Sequence, residues 1–228
     1  MSDAKRRVAE AAADLVEPGM RLGLGSGSTA TFFVEALGRR VAGGLTLPPC
    51  ACTSRATEEA ARRAGIAIVD MMGPDAPATL DLAVDGADEA DPALRLIKGG
   101  GASLLREKIV EALAARFVVI IDESKVVDTL GAFPLPVEIT PFGWASTAHL
   151  IRQRLGVEPN LRQVRGETLK TDNGNFIVDC AFGRIADAEA VAAALGAIPG
   201  VVEHGLFIGM ASEALVSDGK NVRRLTPV

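Results

Sequence analysis

The run Phe117-Val-Val-Ile-Ile121 decides the fold class of this chain. An unbroken apolar run, without the alternation of a half-exposed strand, is typical of a strand buried on both faces in a parallel sheet. It passes directly into Asp122-Glu-Ser-Lys125. Ligands of such sheets bind beyond the carboxyl ends of the strands, so Lys125 stands where a ligand would be held. For Lys125 taken alone, a surface lysine is the simpler interpretation.

Strands and helices alternate on the amino-terminal side of this run. The apolar patterns and turn signals predict strands at 21–24, 45–52, 66–69 and 80–84, and helices before Pro18, at 30–41, at 56–64 and after Gly101. Such alternation is typical of a parallel sheet covered by helices. The predicted fold class is therefore α/β, with a Rossmann-like sheet.

The pattern changes after Lys125, where Pro134, Pro136 and Pro141 follow one another closely. We expect a helix at 144–155, a strand at 161–164, a hairpin at 172–175, a strand at 176–181 and a helix at 187–195. These elements predict a second, smaller α+β domain of the ferredoxin-like type. We place it at 131–202, and the Rossmann-like domain at 1–130 plus 203–228.

Composition excludes several classes of protein. The 228 residues are 48% hydrophobic with a net charge of -5, so there is no basic surface for nucleic acid. No apolar run reaches membrane-spanning length, and Met1–Glu17 lacks the apolar core of a signal peptide, which together favour a cytoplasmic protein. Three cysteines without a CxxC pair and only two histidines disfavour a disulfide framework or a zinc site.

A glycine run at 98–101 precedes the helix that carries Glu107. In Lys98-Gly-Gly-Gly101 the glycines can leave N–H groups free near a helix N-terminus, where negative charge is favoured. Helical side chains tilt toward the N-terminus, so we expect the Glu107 carboxylate to lean over the glycine turn. Apolar residues at helical spacing form a stripe that excludes Glu107, and we expect this stripe to be the packed face. It consists of Leu105, Ile109, Ala112 and Leu113.

The loop Gly25-Ser-Gly-Ser-Thr-Ala30 follows a predicted strand and precedes a helix. One interpretation is a phosphate cradle, in which the Ser28 and Thr29 hydroxyls join backbone N–H groups. The loop also fits the loose dinucleotide pattern, but no acid ends the second strand, and Arg55 is the only candidate to read an NADP phosphate. A capped strand-to-helix turn without a ligand is the third interpretation.

The loop Asp85-Gly-Ala-Asp-Glu89, with Asp91 close behind, clusters carboxylates after another predicted strand. Proton chemistry or binding of substrate hydroxyl groups is one interpretation, and a solvated turn is the other. The spacing lacks the separated ligands and closing glutamate of a calcium loop.

Taken in order, these motifs resemble ribose-5-phosphate isomerase of the A type. The resemblance also includes Thr53-Ser-Arg55, Thr171–Asn175 and Gly205-Leu-Phe207, so it spans nearly the whole chain. It implies interconversion of ribose 5-phosphate and ribulose 5-phosphate without cofactor or metal, by a homodimer or a dimer of dimers. Two other classes are a sugar-phosphate sensing module, which would usually carry a DNA-binding segment, and a related deaminase or coenzyme A transferase.

The resemblance also implies roles for individual residues. Glu107 becomes the proton-transfer base, and Asp85, Asp88 and Lys98 line the reacting sugar. Lys5 is matched to an amino-terminal phosphate lysine. The remaining substrate-binding positions are Ser26, Gly27, Ser28, Thr29, Gly86, Ala87, Gly99, Gly100, Gly101 and Lys125. Such a reaction passes through an enediolate, so it needs a carboxylate base and donors for a negative oxygen.

Overall fold

The computed structural model describes residues 2–228. Its helices are α1 (Ser2–Ala13), α2 (Gly27–Ala42), α3 (Arg55–Arg63), α4 (Leu104–Ala112), α5 (Trp144–Leu155) and α6 (Ala188–Gly196). Its strands are β1 (Leu22–Leu24), β2 (Ala51–Cys52), β3 (Leu82–Asp85), β4 (Glu89–Ala90), β5 (Leu96–Ile97), β6 (Phe117–Asp122), β7 (Leu135–Ile139), β8 (Pro159–Leu161), β9 (Gln163–Val164), β10 (Glu167–Thr168), β11 (Phe176–Cys180), β12 (Val201–His204), β13 (Leu206–Phe207), β14 (Glu213–Ser217) and β15 (Val222–Leu225). Within residues 2–228, no helix combines the length and apolar character needed to cross a bilayer.

The central sheet has six strands in the order β15-β14-β6-β3-β1-β2. All neighbours are parallel except β14 and β15. Every residue of β6 is buried, because Val118 and Ile120 pack among side chains from α1 and α2 while Val119 and Ile121 pack on the opposite face with Phe207. The predicted Rossmann-like α/β fold is confirmed, with β6 in the double-sided environment that its sequence requires.

Several strand ends meet at one edge of this sheet. The loops after β1, β3 and β6 all leave from carboxyl ends of parallel strands, where ligands of α/β proteins bind. The glycine run at 98–101 reaches the same place by another route, since it follows β5 of a small antiparallel sheet with order β13-β5-β4. These loops build the cleft described below.

The second sheet is antiparallel, with strand order β12-β7-β11-β8. Along the chain its elements run β7-α5-β8-β11-α6-β12, which is the ferredoxin-like arrangement expected from the sequence. It has its own apolar cluster, built around Val137, Ile151 and Val178. The division at 202/203 falls inside β12, which pairs with β7, and the two-domain boundary stays a prediction.

The sequence did not predict β7, because Pro134 and Pro136 read as loop residues. Proline lacks an N–H group and is unusual inside a sheet. Pro136 nevertheless keeps a ladder role through its carbonyl oxygen, which accepts a hydrogen bond from Gly205 N–H at 2.8 Å. Strand pairing on both sides of β7 therefore overrides the local signal.

Three local predictions were wrong. The strand expected at 45–52 is reduced to β2, since Pro48 and Pro49 cannot donate to a ladder, and the strand at 66–69 is a single bridge between Cys50 and Ile68. The tight hairpin turn lies at Arg165-Gly166, both with positive φ, between β9 and β10. The segment 172–175 is instead a turn closed by a hydrogen bond from Thr171 N–H to Asn175 O.

Candidate active site

A cleft of about 140 Å³ opens at the carboxyl edge of the central sheet. Its wall is mostly polar, as a polar ligand requires. All the predicted substrate-binding positions lie on its wall, as do three of the four predicted catalytic residues. The lining residues are Lys5, Ser26, Gly27, Ser28, Thr29, Gly86, Ala87, Asp88, Lys98, Gly99, Gly100, Gly101, Glu107, Ile121, Asp122 and Lys125.

The N-terminus of α2 forms one side of the cleft. The helix begins at Gly27 rather than at the predicted Ala30, so the loop itself supplies the first helical turn. The hydroxyl of Ser26 does not cap the helix, because it is hydrogen-bonded to Thr53 instead. The first N–H groups therefore face the cleft without a side-chain cap, at the end where the helix dipole favours an anion.

Two lysines stand at this side of the cleft. Lys5 Nζ donates to Ser28 Oγ at 2.8 Å. This hydrogen bond places an ammonium group of α1 beside the N-terminus of α2, where an anion would bind. Lys125 lies on the short turn at 123–125 that follows β6 and also lines the wall. Two cations and a helix N-terminus together can hold a phosphate group.

Lys98 is buried at the floor of the cleft, with a side chain only 2% exposed. Its Nζ donates to Asp85 Oδ2 at 2.7 Å and to the Gly86 carbonyl oxygen at 2.6 Å. The rings of Phe117 and Phe207 lie 5.9 and 5.4 Å from Nζ. Burial alone would lower the pKa of Lys98, but the surrounding carboxylates outweigh burial and raise it, so this lysine is a permanent cation.

Asp85 differs from the other predicted residues because it lies beneath the cleft wall and is 1% exposed. Besides the Lys98 ammonium, its carboxylate accepts hydrogen bonds from Ser26 N–H at 2.9 Å and Gly86 N–H at 2.7 Å. Asp85 thus joins the loops after β1 and β3 and anchors Lys98. This position favours an organising role over the direct contact with sugar that the resemblance implied.

Glu107 reaches the cleft from the first turn of α4, as expected. Its side chain is 5% exposed, one oxygen lies 3.5 Å from Lys98 Nζ, and that oxygen accepts no hydrogen bond. Burial raises the pKa of Glu107 to about 8 against the opposing effect of Lys98. A carboxylate held this way is a stronger base than one in water.

The packed face of α4 is not the predicted one. Leu104, Val110 and the two glutamates Glu107 and Glu111 are buried, whereas Ile109 of the apolar stripe is 50% exposed. The inward face of this helix is thus partly acidic, and Lys98 lies opposite it. Glu107 therefore lies on the packed face of α4, contrary to the sequence prediction, and it still reaches the cleft beside the glycine run.

Glu111 is a buried carboxyl group that the sequence analysis missed. One of its oxygens lies 3.2 Å from Lys98 Nζ, and neither oxygen accepts a hydrogen bond from another residue. Burial raises the pKa of Glu111 well above its ordinary value. Burial therefore opposes ionisation of Glu111, and the nearby Lys98 ammonium favours it. The position of Glu111 four residues after Glu107 was the available signal.

The glycine run is fixed by Asp88. Gly100 N–H donates to Asp88 Oδ2 at 2.8 Å, and a Cβ at position 100 would lie only 2.6 Å from Asp88 Oδ1. Gly99 has φ +101°, which side chains rarely adopt. Burial raises the pKa of Asp88, with this hydrogen bond opposing it. Gly99 is therefore required for its backbone conformation and Gly100 for its close approach to Asp88, whereas a Cβ at position 101 would meet open space.

The other candidates from the sequence lie away from the cleft. Glu89 accepts hydrogen bonds from Gly131 and Phe133 N–H groups, and Asp91 pairs with Arg95. Arg55, the candidate reader of an NADP phosphate, begins α3 and lines a different groove. Ile121 and Asp122 line the cleft although neither was predicted, and both follow directly from the position of β6.

Comparisons with known proteins agree with this geometry. A family model described as ribose 5-phosphate isomerase A (phosphoriboisomerase A) matches residues 49–221. The protein named ribose-5-phosphate isomerase A from Sinorhizobium fredii is 49% identical over 227 residues, covering 97% of this chain and 96% of that protein. The protein of the same name from Methylorubrum extorquens is 51% identical, covering 94% and 92% of the two chains.

Solved structures extend the likeness to the fold. Ribose 5-phosphate isomerase A from Methanocaldococcus jannaschii superposes with a TM-score of 0.91 at 39% identity, covering 98% of each chain. A D-ribose-5-phosphate isomerase in complex with phospho-erythronic acid also gives a TM-score of 0.91, at 37% identity over 98% of this chain and 97% of that one. Both likenesses span the two sheets.

Proposed function

The chain belongs to the ribose 5-phosphate isomerase A family, and from this membership we infer that it interconverts D-ribose 5-phosphate and D-ribulose 5-phosphate. The observation that carries the mechanism is the Glu107 carboxyl group on the cleft wall, 3.5 Å from the buried Lys98 ammonium. A base and a cation in one cleft are what an aldose-ketose isomerase needs. The sensing-module and transferase interpretations give way to this one.

Glu107 is the residue that moves the proton. In the forward direction its carboxylate removes the proton from C2 of the open-chain aldose, and the electron pair passes to the C1 oxygen to give an enediolate. The Glu107 carboxylic acid then returns a proton to C1, and the oxygen on C2 becomes the ketone. A positioned base typically contributes about 10² to 10⁴-fold, so the intermediate must also be stabilised.

Lys98 and the glycine run provide that stabilisation. When Glu107 takes the proton, the negative charge moves from its carboxylate to the substrate oxygens. The Lys98 ammonium at the floor of the cleft is close to Glu107 and to the space for the substrate, so it can stabilise the charge in both positions. N–H groups of the glycine run are further donors. Phospho-erythronic acid, which is bound in one relative, carries a planar carboxylate with the shape of an enediolate, and this supports the assignment.

Asp88 is suited to transferring protons to and from the hydroxyl groups of the sugar. It lines the cleft, and burial raises its pKa, so it holds a proton more readily than an exposed aspartate. We assign it to opening of the furanose ring and to proton transfer between the C1 and C2 oxygens. The chain's own groups then supply every step without a metal or a nucleotide.

The proposal is tested by supplying ribose 5-phosphate to dialysed, chelator-treated protein and measuring ketose formation. Full activity is expected, and free ribose should be a very poor substrate because the phosphate orients the reacting carbons. Activity restored only by a divalent ion, or comparable turnover of ribose, would contradict the proposal.

Replacing Lys125 by alanine should raise KM for ribose 5-phosphate by about tenfold or more, with a smaller change in kcat. The phosphate contact is made equally in the ground state and the transition state, and a hydrogen bond to a charged group contributes about 1.5–3 kcal/mol. Steady-state kinetics check this, with the exposed Lys220→Ala as the matched control. An unchanged KM would remove Lys125 from the phosphate site.

The pH dependence follows from Glu107. Since burial raises its pKa to about 8, kcat/KM should be constant above that pH and fall about tenfold per pH unit below it, as the base becomes protonated. The measurement is kcat/KM across the acidic limb at constant ionic strength. A limb centred near the ordinary glutamate value would show that another group titrates.

The assembly and its compartment are also part of the proposal. We assign a homodimer, or a dimer of dimers, because the family resemblance implies it, and a cytoplasmic location. Cys50, Cys52 and Cys180 are free and buried, which suits a reducing compartment.

A further inference from the structure

The second sheet makes side-chain hydrogen bonds to the glycine run through Arg162. Of the described residues, none between 131 and 202 lines the cleft. Arg162, which follows β8, nevertheless extends to the glycine run, and its side chain is only 13% exposed. Its Nη1 donates to the Gly99 carbonyl oxygen at 2.8 Å and to the Gly100 carbonyl oxygen at 3.2 Å.

The guanidinium is held in place by Asp179 of β11. Arg162 Nε donates to Asp179 Oδ2 at 2.9 Å, and Nη2 donates to the other carboxylate oxygen. A bidentate pair of this kind fixes the plane of the guanidinium, so Nη1 is aimed at the glycine run before any substrate arrives. The pair is mostly buried, and water competes for it less than for a surface pair.

The geometry of a trans peptide gives this contact a consequence for the cleft. In each planar peptide unit the C=O and the following N–H point in opposite directions. With the Gly99 carbonyl turned toward Arg162, the Gly100 N–H points the other way and reaches Asp88 at 2.8 Å. With the Gly100 carbonyl also turned toward Arg162, the Gly101 N–H is directed away from the guanidinium.

We propose that Arg162 is a positioning residue, which orients two consecutive peptide units so that the glycine run presents its N–H groups to Asp88 and the reacting oxygens. The inference rests on the proposed function, since it assigns those N–H groups to the enediolate. It gives the second sheet a part in the reaction: the Arg162–Asp179 pair keeps flexible glycines in one arrangement. Glycine is the residue that most needs such a restraint.

The test is Arg162→Ala, assayed beside the wild type. We expect kcat to fall by roughly 10 to 10²-fold with little change in KM, because a misplaced donor weakens the transition state more than phosphate binding. Inhibition by phospho-erythronic acid should weaken more than KM rises. Adding guanidinium ion at millimolar concentration should restore part of kcat in this variant alone.

Arg152→Ala is the matched control, because Arg152 of α5 forms an exposed pair with Glu158 and does not contact the glycine run. It should keep wild-type kinetics. Arg162→Lys should not rescue kcat, since an ammonium cannot hold Asp179 and both carbonyl groups. Asp179→Asn should lower kcat in the same direction, and the double variant should be no worse than Arg162→Ala.

Wild-type kcat in Arg162→Ala would overturn the inference, as would a rise in KM with unchanged kcat. A fall in kcat that only matches the fall in folded fraction, measured by circular dichroism, would overturn it too. If the effects of Arg162→Ala and Asp179→Asn on kcat were additive in the double variant, the two residues would not act as one pair, which would also contradict the inference. The wild-type assay separates this inference from the proposed function. If the wild type does not isomerise ribose 5-phosphate, the function fails; if it does and the variant matches it, only the role of Arg162 fails.

Discussion

Glu107→Gln is expected to lower kcat by at least about 10²-fold while leaving the protein folded. The amide has the size of the carboxyl group but cannot take a proton from carbon. Glu107 contributes little to holding the helix, because its oxygen near Lys98 accepts no hydrogen bond and burying the charge is costly. The measurement is steady-state kinetics, with thermal unfolding of the same sample.

Glu59→Gln, at an exposed position of α3, is the control for the Glu107 variant. It removes a carboxylate of the same type without touching the cleft and should leave kcat unchanged. If Glu107→Gln retains near-normal kcat, Glu107 is not the carbon base and another carboxyl group, such as Asp88, must move the proton.

Lys98→Met is expected to lower kcat and kcat/KM together by about 10²-fold or more. The substitution keeps length and removes the charge that we propose stabilises the enediolate, and loss of one donor to such an oxyanion costs on this scale. An interaction made only in the transition state affects kcat, whereas a uniform contact affects KM. A higher KM with unchanged kcat would show that Lys98 binds the substrate equally in the ground state and the transition state.

The Lys98 variant needs a second variant, because removing one partner of a buried ion pair destabilises a protein by about 3–5 kcal/mol. Lys98→Met combined with Asp85→Asn removes both charges, and the asparagine Oδ1 can still accept hydrogen bonds from Ser26 and Gly86. The double variant should be more stable than Lys98→Met and equally slow. Recovery of kcat in the double variant would show that Lys98→Met is slow because it is destabilised, and not because the charge is needed for catalysis.

The local patterns predicted the frame of the cleft well. Each loop that lines it lies beside an apolar strand or a helix start, and strand ends in a parallel sheet converge regardless of the rest of the chain. The carboxyl-end position of Lys125 followed from the same rule. The buried strand at 117–121 and the helix at 144–155 were also predicted from local patterns of apolar residues.

Other features depend on partners distant in sequence. The acidic inner face of α4 is stable only because Lys98 lies against Glu107 and Glu111, and a local pattern of apolar residues favours the opposite face. The part played by β7 was hidden by Pro136, whose carbonyl is used by Gly205. Arg162 meets the glycine run across 62 residues of chain, a contact that no spacing rule indicates.

The central claim is that Glu107 carries a proton between C2 and C1, and isotope exchange tests it most directly. Ribose 5-phosphate is isomerised in D₂O with chelator present, and deuterium at C1 of the ketose is measured by NMR over many turnovers. We predict that the wild type incorporates deuterium at C1 and that Glu107→Gln loses exchange and isomerisation to the same extent. Exchange or isomerisation at the wild-type rate in Glu107→Gln would contradict the claim.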